Sequence, residues 1–250
     1  MIRGKRFIQL GCLVLCVAGI QMMSGCDSKI PMKTKAEEKT NATPVYKNTA
    51  FHEPVQIEAD RLKQGEEVKN IILFIGDGMG VAQMFAGMTA NHGKLNLEYL
   101  KYIGFSKTQS FNKYVTDSAA GGTAIATGVN TYYGAVGVNS DTVKVQSILE
   151  LAETKGLSTG LVTTCDLTDA TPAAFIAHQK SRYMLEEVAR DYLNTDVDIV
   201  IGGGLKNFAH RSDGESLLPL LRERDYTVIT DVAELSKSNG QKIFALIAEE

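Results

Sequence analysis

The feature that most constrains this chain is an apolar run that ends on a carboxylate. Ile71-Ile72-Leu73-Phe74-Ile75 has no polar residue in it and stops at Gly76-Asp77-Gly78-Met79-Gly80. A run of this kind predicts a strand over residues 70–75 buried on both faces, because a half-buried strand would alternate polar with apolar. Asp77 then stands at the carboxyl end of a central strand, where open α/β sheets hold their ligands. A second stretch completes the first. In Thr116-Asp117-Ser118-Ala119-Ala120-Gly121-Gly122-Thr123-Ala124, a serine follows an aspartate and opens a small-residue run that reads as the start of a helix. A hydroxyl there lies among free backbone N–H groups and at the positive end of a helix dipole, which suits an anion. A carboxylate at a strand end and a serine at a helix start suggest a metal-activated nucleophile attacking a phosphate.

Other readings of these residues fail on spacing. Gly76, Gly78 and Gly80 do not form a dinucleotide fingerprint, which needs a glycine three residues after its second; position 81 is Val81. Ser118 is not the serine of a hydrolase elbow, since Thr116 and Ala120 occupy the positions that must be glycine. Gly202-Gly203-Gly204 is followed by Leu205-Lys206-Asn207 and not by the Lys-Ser/Thr of a P-loop, so it reads as a tight strand-to-loop turn. Taken alone, Asp77 could also be a turn residue and Asp117 or Ser118 a helix cap.

From residue 68 onward the chain alternates in the manner of one α/β domain. Strand-like runs at 70–75, 159–164, 198–201 and 226–230 are interleaved with helix-like runs at 81–91, 118–127, 145–155, 182–193 and 215–224. This predicts a mainly parallel sheet with helices on both faces. The last apolar residues, 242–248, look like a strand entering that sheet. The formal charge is only −3 and the basic residues are scattered, so no nucleic-acid partner is expected.

Residues 1–25 read as an export signal: Arg3, Lys5 and Arg6 precede an apolar stretch too short for a comfortable membrane span. Met23-Ser24-Gly25-Cys26 resembles the lipobox of bacterial lipoproteins, which implies cleavage before Cys26, lipidation on it and a cell-envelope or periplasmic location. Residues 26–67 are rich in lysine, glutamate and threonine and read as a flexible tether. After cleavage and lipidation Cys165 is the one remaining thiol, so no intrachain disulfide forms; it reads as a small buried residue.

Asn70-Ile-Ile-Leu-Phe-Ile-Gly-Asp-Gly-Met-Gly80, Tyr114-Val-Thr-Asp-Ser-Ala-Ala120 and Asp169-Ala-Thr-Pro-Ala-Ala174 closely resemble the signatures of bacterial alkaline phosphatases, in order and approximate spacing. The resemblance covers about residues 68–250. It implies hydrolysis of phosphate monoesters through a phosphoserine on Ser118, with two zinc ions and one magnesium. Asp77 would bridge a zinc and the magnesium, Ser118 would lie beside that zinc, Thr171 would bind magnesium directly and Asp169 through its water shell. Hard oxygen donors of this type suit magnesium. Arg182 matches the family's phosphate-clamping arginine, whose planar fork fits two phosphate oxygens. His178 is read as structural, and His52, His92 and His210 receive no metal role.

The resemblance also implies that much is missing. The remaining zinc ligands and the magnesium-binding glutamate of the family lie in its C-terminal half, so the 250 residues read as the N-terminal portion of a longer enzyme, with doubtful activity alone. Relatives are commonly homodimers. Two other classes stay open: a different metal-dependent hydrolase or mutase of the same superfamily, and a lipid-anchored protein that binds phosphate or metal without turnover.

Overall fold

The computed structural model describes residues 49–54, 68–100 and 102–249; the signal segment, Cys26 and most of the tether lie outside them. Four strands form one all-parallel sheet: β1 (Gly160–Asp166), β2 (Ile199–Gly203), β3 (Thr227–Ile229) and β4 (Ile243–Leu246), in the order β1-β2-β4-β3. In register, Val200 of β2 lies beside Leu161 of β1 and Phe244 of β4, and Val228 of β3 lies on the other side of Phe244. The expected strands after residue 158 therefore all form, and the last apolar run enters the middle of the sheet.

The helices are short. They are α1 (Val81–Ala90), α2 (Ser118–Thr127), α3 (Ile148–Thr154), α4 (Ala170–Ala173), α5 (Leu185–Asp191), α6 (Leu205–Ala209), α7 (Leu218–Glu223) and α8 (Val232–Leu235). Local chemistry explains their ends. Asp117 caps α2 by accepting from Ala120 N at 3.1 Å, and Ser147 with Glu150 forms a reciprocal capping box on α3. Among the described residues, no helix is long and apolar enough to cross a membrane.

The core gathers on β4. The Phe244 ring meets Tyr192, Phe208 and Tyr226 in edge-to-face pairs with centroids 5.6, 5.3 and 5.7 Å away, a geometry aromatic quadrupoles favour. The buried hydroxyls are satisfied, Tyr192 donating to Leu167 O and Tyr226 to Val197 O. Burial raises the pKa of both phenols, that of Tyr226 to about 12. Consecutive burial of Phe244 and Ala245 shows cover on both faces at β4.

At the edge strand β1 Val162 is 68% exposed. One expectation is corrected here. Residues 70–75 form no strand: Ile72 is 78% and Phe74 88% exposed. An apolar run becomes a buried strand only when a neighbour takes its backbone hydrogen bonds and layers cover its faces. The described residues supply neither to this run. A smaller difference concerns the tether. Within it Phe51 meets the His92 ring, His52 exchanges hydrogen bonds with Asn91, and Glu53 pairs with Lys94 at 2.9 Å.

Candidate active site

The residues singled out by sequence come from three segments that the fold brings together. Gly76 O accepts from Met79 N at 3.1 Å, closing a turn in which Gly78 has φ +66°, a conformation that favours glycine. That turn presents Asp77. Ser118 is the first residue of α2, so its hydroxyl lies at the positive end of the helix dipole. Asp169 and Thr171 follow the carboxyl end of β1, as expected, with Pro172 in the first turn of α4.

Contacts then link the segments in series. Thr171 Oγ1 donates to Asp77 Oδ2 at 2.7 Å. Arg182 Nη1 donates to Ser118 Oγ at 2.7 Å, while its Nη2 lies 3.7 Å from Asp169 Oδ1. Asp169 occupies the cap position of α4, yet its side chain makes no capping hydrogen bond. Its half-exposed carboxylate faces the arginine instead.

Asp117 carries more than the sequence reading assigned to it. Its side chain is only 8% exposed; Oδ1 accepts from Ala120 N and from Gly134 N at 3.2 Å, and Oδ2 faces Arg182 Nη1 at 3.5 Å. Gly134 O in turn accepts from Arg182 N at 2.7 Å. One carboxylate thus ties the start of α2, the Gly134 loop and the guanidinium together. The local signal was present, since an aspartate before a helical serine is a cap candidate. Its link to Arg182 was invisible without the fold.

The oxygen donors Asp77, Asp169 and Thr171 are of the kind magnesium selects. Zinc prefers imidazole or thiolate donors alongside oxygen, and only Asp77 and Ser118 of the named set are offered to it. Among the described residues, no group of three or more His, Cys, Asp and Glu side chains is placed to hold a metal. The donor set fits part of a magnesium site and does not by itself complete a zinc site. Cys165 is half-buried, its Sγ 3.1 Å from Thr163 Oγ1, and burial pushes its thiol up, so it behaves as an unreactive group. His178 has both ring nitrogens engaged by protein groups, in keeping with a structural role.

Comparison with known proteins agrees with these motifs. Residues 68–248 match the family profile described as Alkaline phosphatase. Alkaline phosphatase 4 of Bacillus subtilis is 37% identical over 200 residues, covering 73% of this chain and 42% of its own length. The alkaline phosphatase of Escherichia coli is 36% identical over 211 residues, covering 70% and 45%. Among solved structures, the alkaline phosphatase of the Antarctic bacterium TAB5 is similar with a TM-score of 0.67 and 39% identity, over 70% of this chain and 52% of that one. A histidine-to-aspartate variant of that enzyme, with magnesium bound, matches at a TM-score of 0.66 and 39% identity, over 70% and 51%. The chain spans less than half the length of the two curated relatives it matches.

Proposed function

The chain belongs to the alkaline phosphatase family, and from that membership we propose that it carries the nucleophile and phosphate clamp of a phosphomonoesterase. The observation that carries the reading is the 2.7 Å hydrogen bond from Arg182 to Ser118. It sets a planar, permanently charged fork against the hydroxyl that would attack phosphorus. As a phosphate monoester enters, Nη1 exchanges the Ser118 oxygen for a phosphate oxygen, and Nη2 takes a second. The ester is thereby oriented for in-line attack, and charge on the transferring group is balanced.

The step at Ser118 forms an Oγ–P bond and breaks the P–O bond to the alcohol, which leaves with a proton. Water then adds to phosphorus, the Oγ–P bond breaks, and inorganic phosphate departs with the serine hydroxyl restored. Splitting hydrolysis into two displacements is the usual advantage of a covalent nucleophile. Asp77, Asp169 and Thr171 would hold magnesium, and Asp77 with Ser118 would contribute to one of two zinc sites. Bound divalent ions acidify a coordinated hydroxyl or water and offset charge on a leaving alkoxide. The magnesium in the aspartate variant of the Antarctic enzyme supports assigning that ion to a site bearing aspartate. Export, the lipid anchor on Cys26 and a homodimeric assembly belong to the same proposal, supported by residues 1–26 and by the family resemblance.

The test is to incubate the protein with zinc, magnesium and an aryl phosphate, quench in acid and map phosphorylation by mass spectrometry. Phosphoserine at position 118, absent from Ser118→Ala, with slow net release of the phenol from the 250-residue chain, is the expected result. Equal phenol release by wild type and Ser118→Ala would sink the assignment of the nucleophile.

A further inference from the structure

Gly202-Gly203-Gly204 matches no phosphate-loop spacing, and the fold gives it another use. The loop that leaves β1 lies directly against it. A Cβ on Gly202 would lie 2.7 Å from Thr163 Cγ2 and 2.8 Å from Leu167 Cδ2. One on Gly204, which has φ +91°, would lie 3.2 Å from Asp166 Cβ. Side chains in this turn would push the loop away. In their absence Gly203 O accepts from Leu167 N at 3.1 Å, and Tyr192, just after α5, donates its hydroxyl to Leu167 O at 2.6 Å. The next residues form α6, which places Asn207 so that its Nδ2 donates to Thr168 Oγ1 at 2.8 Å; both side chains are buried.

Thr168 immediately precedes Asp169. Asp169 N donates to Asp166 O and Asp169 O accepts from Ala173 N, both at 3.0 Å, so residues 167, 168 and 169 are pinned one after another. From this turn the Asp169 carboxylate comes within 3.7 Å of Arg182, and Thr171 reaches Asp77 at 2.7 Å. Asn207 is itself backed. Its carbonyl accepts from Arg211 Nη1 at 3.3 Å, and that arginine side chain, only 3% exposed, also donates to Glu186 O at 2.7 Å and pairs with Asp213. A buried amide on a buried hydroxyl adds little net stability, because an apolar pair of the same shape does about as well. What the polar pair supplies is direction. A hydrogen bond fixes the Thr168 rotamer and the backbone that carries it, which an apolar contact does not.

We infer that Asn207 is a positioning residue: acting through Thr168, it fixes the turn from which Asp169 and Thr171 are presented to a divalent cation. The glycine turn supplies the clearance and Arg211 the backing. The cation at Asp169 and Thr171 rests on the function proposed above, whereas the seat rests on hydrogen bonds within the chain.

The experiment compares the 250-residue wild type with Asn207→Leu, Thr168→Val, the double variant and Thr168→Ser. Each of the first two is close to isosteric and leaves one buried partner unpaired; Thr168→Ser keeps the hydroxyl. Hydrogen–deuterium exchange is read at the Ala173 and Ala174 amides, which donate to Asp169 O and Ala170 O, with the Ile243 amide of β4 as reference. Both single variants are expected to exchange about tenfold faster at 173 and 174, the loss of about one hydrogen bond, with Ile243 unchanged and Thr168→Ser close to wild type. The double variant separates positioning from stability: its urea midpoint should return towards wild type while Ala173 and Ala174 stay fast. Manganese(II), used alone as a paramagnetic stand-in for magnesium, should bind wild type and Thr168→Ser about tenfold more tightly than the other three forms, read from the free-ion resonance. Should Asn207→Leu fail to fold, Thr168→Val against Thr168→Ser makes the same comparison. Unchanged exchange in the single variants, full recovery of protection in the double variant, or equal manganese binding by all five forms overturns the inference. Exchange that responds as expected with no manganese bound by any form, wild type included, keeps the seat and removes Asp169 and Thr171 as cation ligands.

Discussion

Single side chains in this protein are asked to serve more than one partner. Arg182 contacts Ser118, Asp117 and Asp169 with one guanidinium, which a lysine, with a single point charge, cannot reproduce. Arg182→Lys is expected to weaken inorganic phosphate binding by about ten- to a hundredfold, the loss of roughly one charge-assisted hydrogen bond, as read by calorimetric titration with magnesium and zinc present. Glu150 supplies a second residue-level test, in stability. Burial opposes its ionisation, yet hydrogen bonds from His178 and Ser147 bring its folded value from 4.5 down to about 2. A depressed folded value means the stabilisation is present above the unfolded value and is lost as pH falls from about 4.5 towards about 2. Wild type should therefore lose up to about 3 kcal/mol across that window relative to Glu150→Gln, measured from urea midpoints at stepped pH.

At the scale of elements, stability concentrates where β4 meets Phe208 of α6, Tyr192 and Tyr226. Phe244 is 1% exposed and touches three aromatic rings, so truncating it removes buried area and leaves a cavity among rigid groups. Phe244→Ala is expected to cost about 3–5 kcal/mol in chemical denaturation. α2 depends on a different device. Its buried face is Ala119, Ala120, Gly121, Gly122, Thr123 and Ala126, which brings its backbone close to α4 but offers little apolar area. Capping by Asp117 and tight packing hold it, so the helix that carries Ser118 is positioned by hydrogen bonds more than by hydrophobic burial. This is a suitable basis for a nucleophile whose orientation must be exact to the partner across the site.

The molecule as a whole is uneven. The region from β1 onward has a closed aromatic core, whereas Ile71, Ile72, Leu73 and Phe74, together with Val81 and Phe85 of α1, are exposed. Exposed apolar side chains in this number favour association in water. The 250-residue chain is expected to self-associate in light scattering as concentration rises, and Ile72→Lys with Phe74→Lys should reduce that association while leaving the β1–β4 core intact by near-ultraviolet circular dichroism. Unchanged scattering in the double variant would place the sticky surface elsewhere.

The amino-acid order by itself determined what depends on neighbours along the chain: the alternation that makes β1 to β4 parallel, the cap before Ser118, the turn that presents Asp77, and Pro172 in the first turn of α4. These follow from periodicity and backbone preference within a few residues. Only the tertiary structure decided the pairings that cross long separations, Arg182 with Ser118 over 64 residues and Thr171 with Asp77 over 94, because which side chains meet depends on how every intervening element packs. It also decided where an apolar run stays uncovered. The composition of residues 70–75 encodes a wish for burial, but burial is a property of surrounding layers, and the described residues provide none over that run.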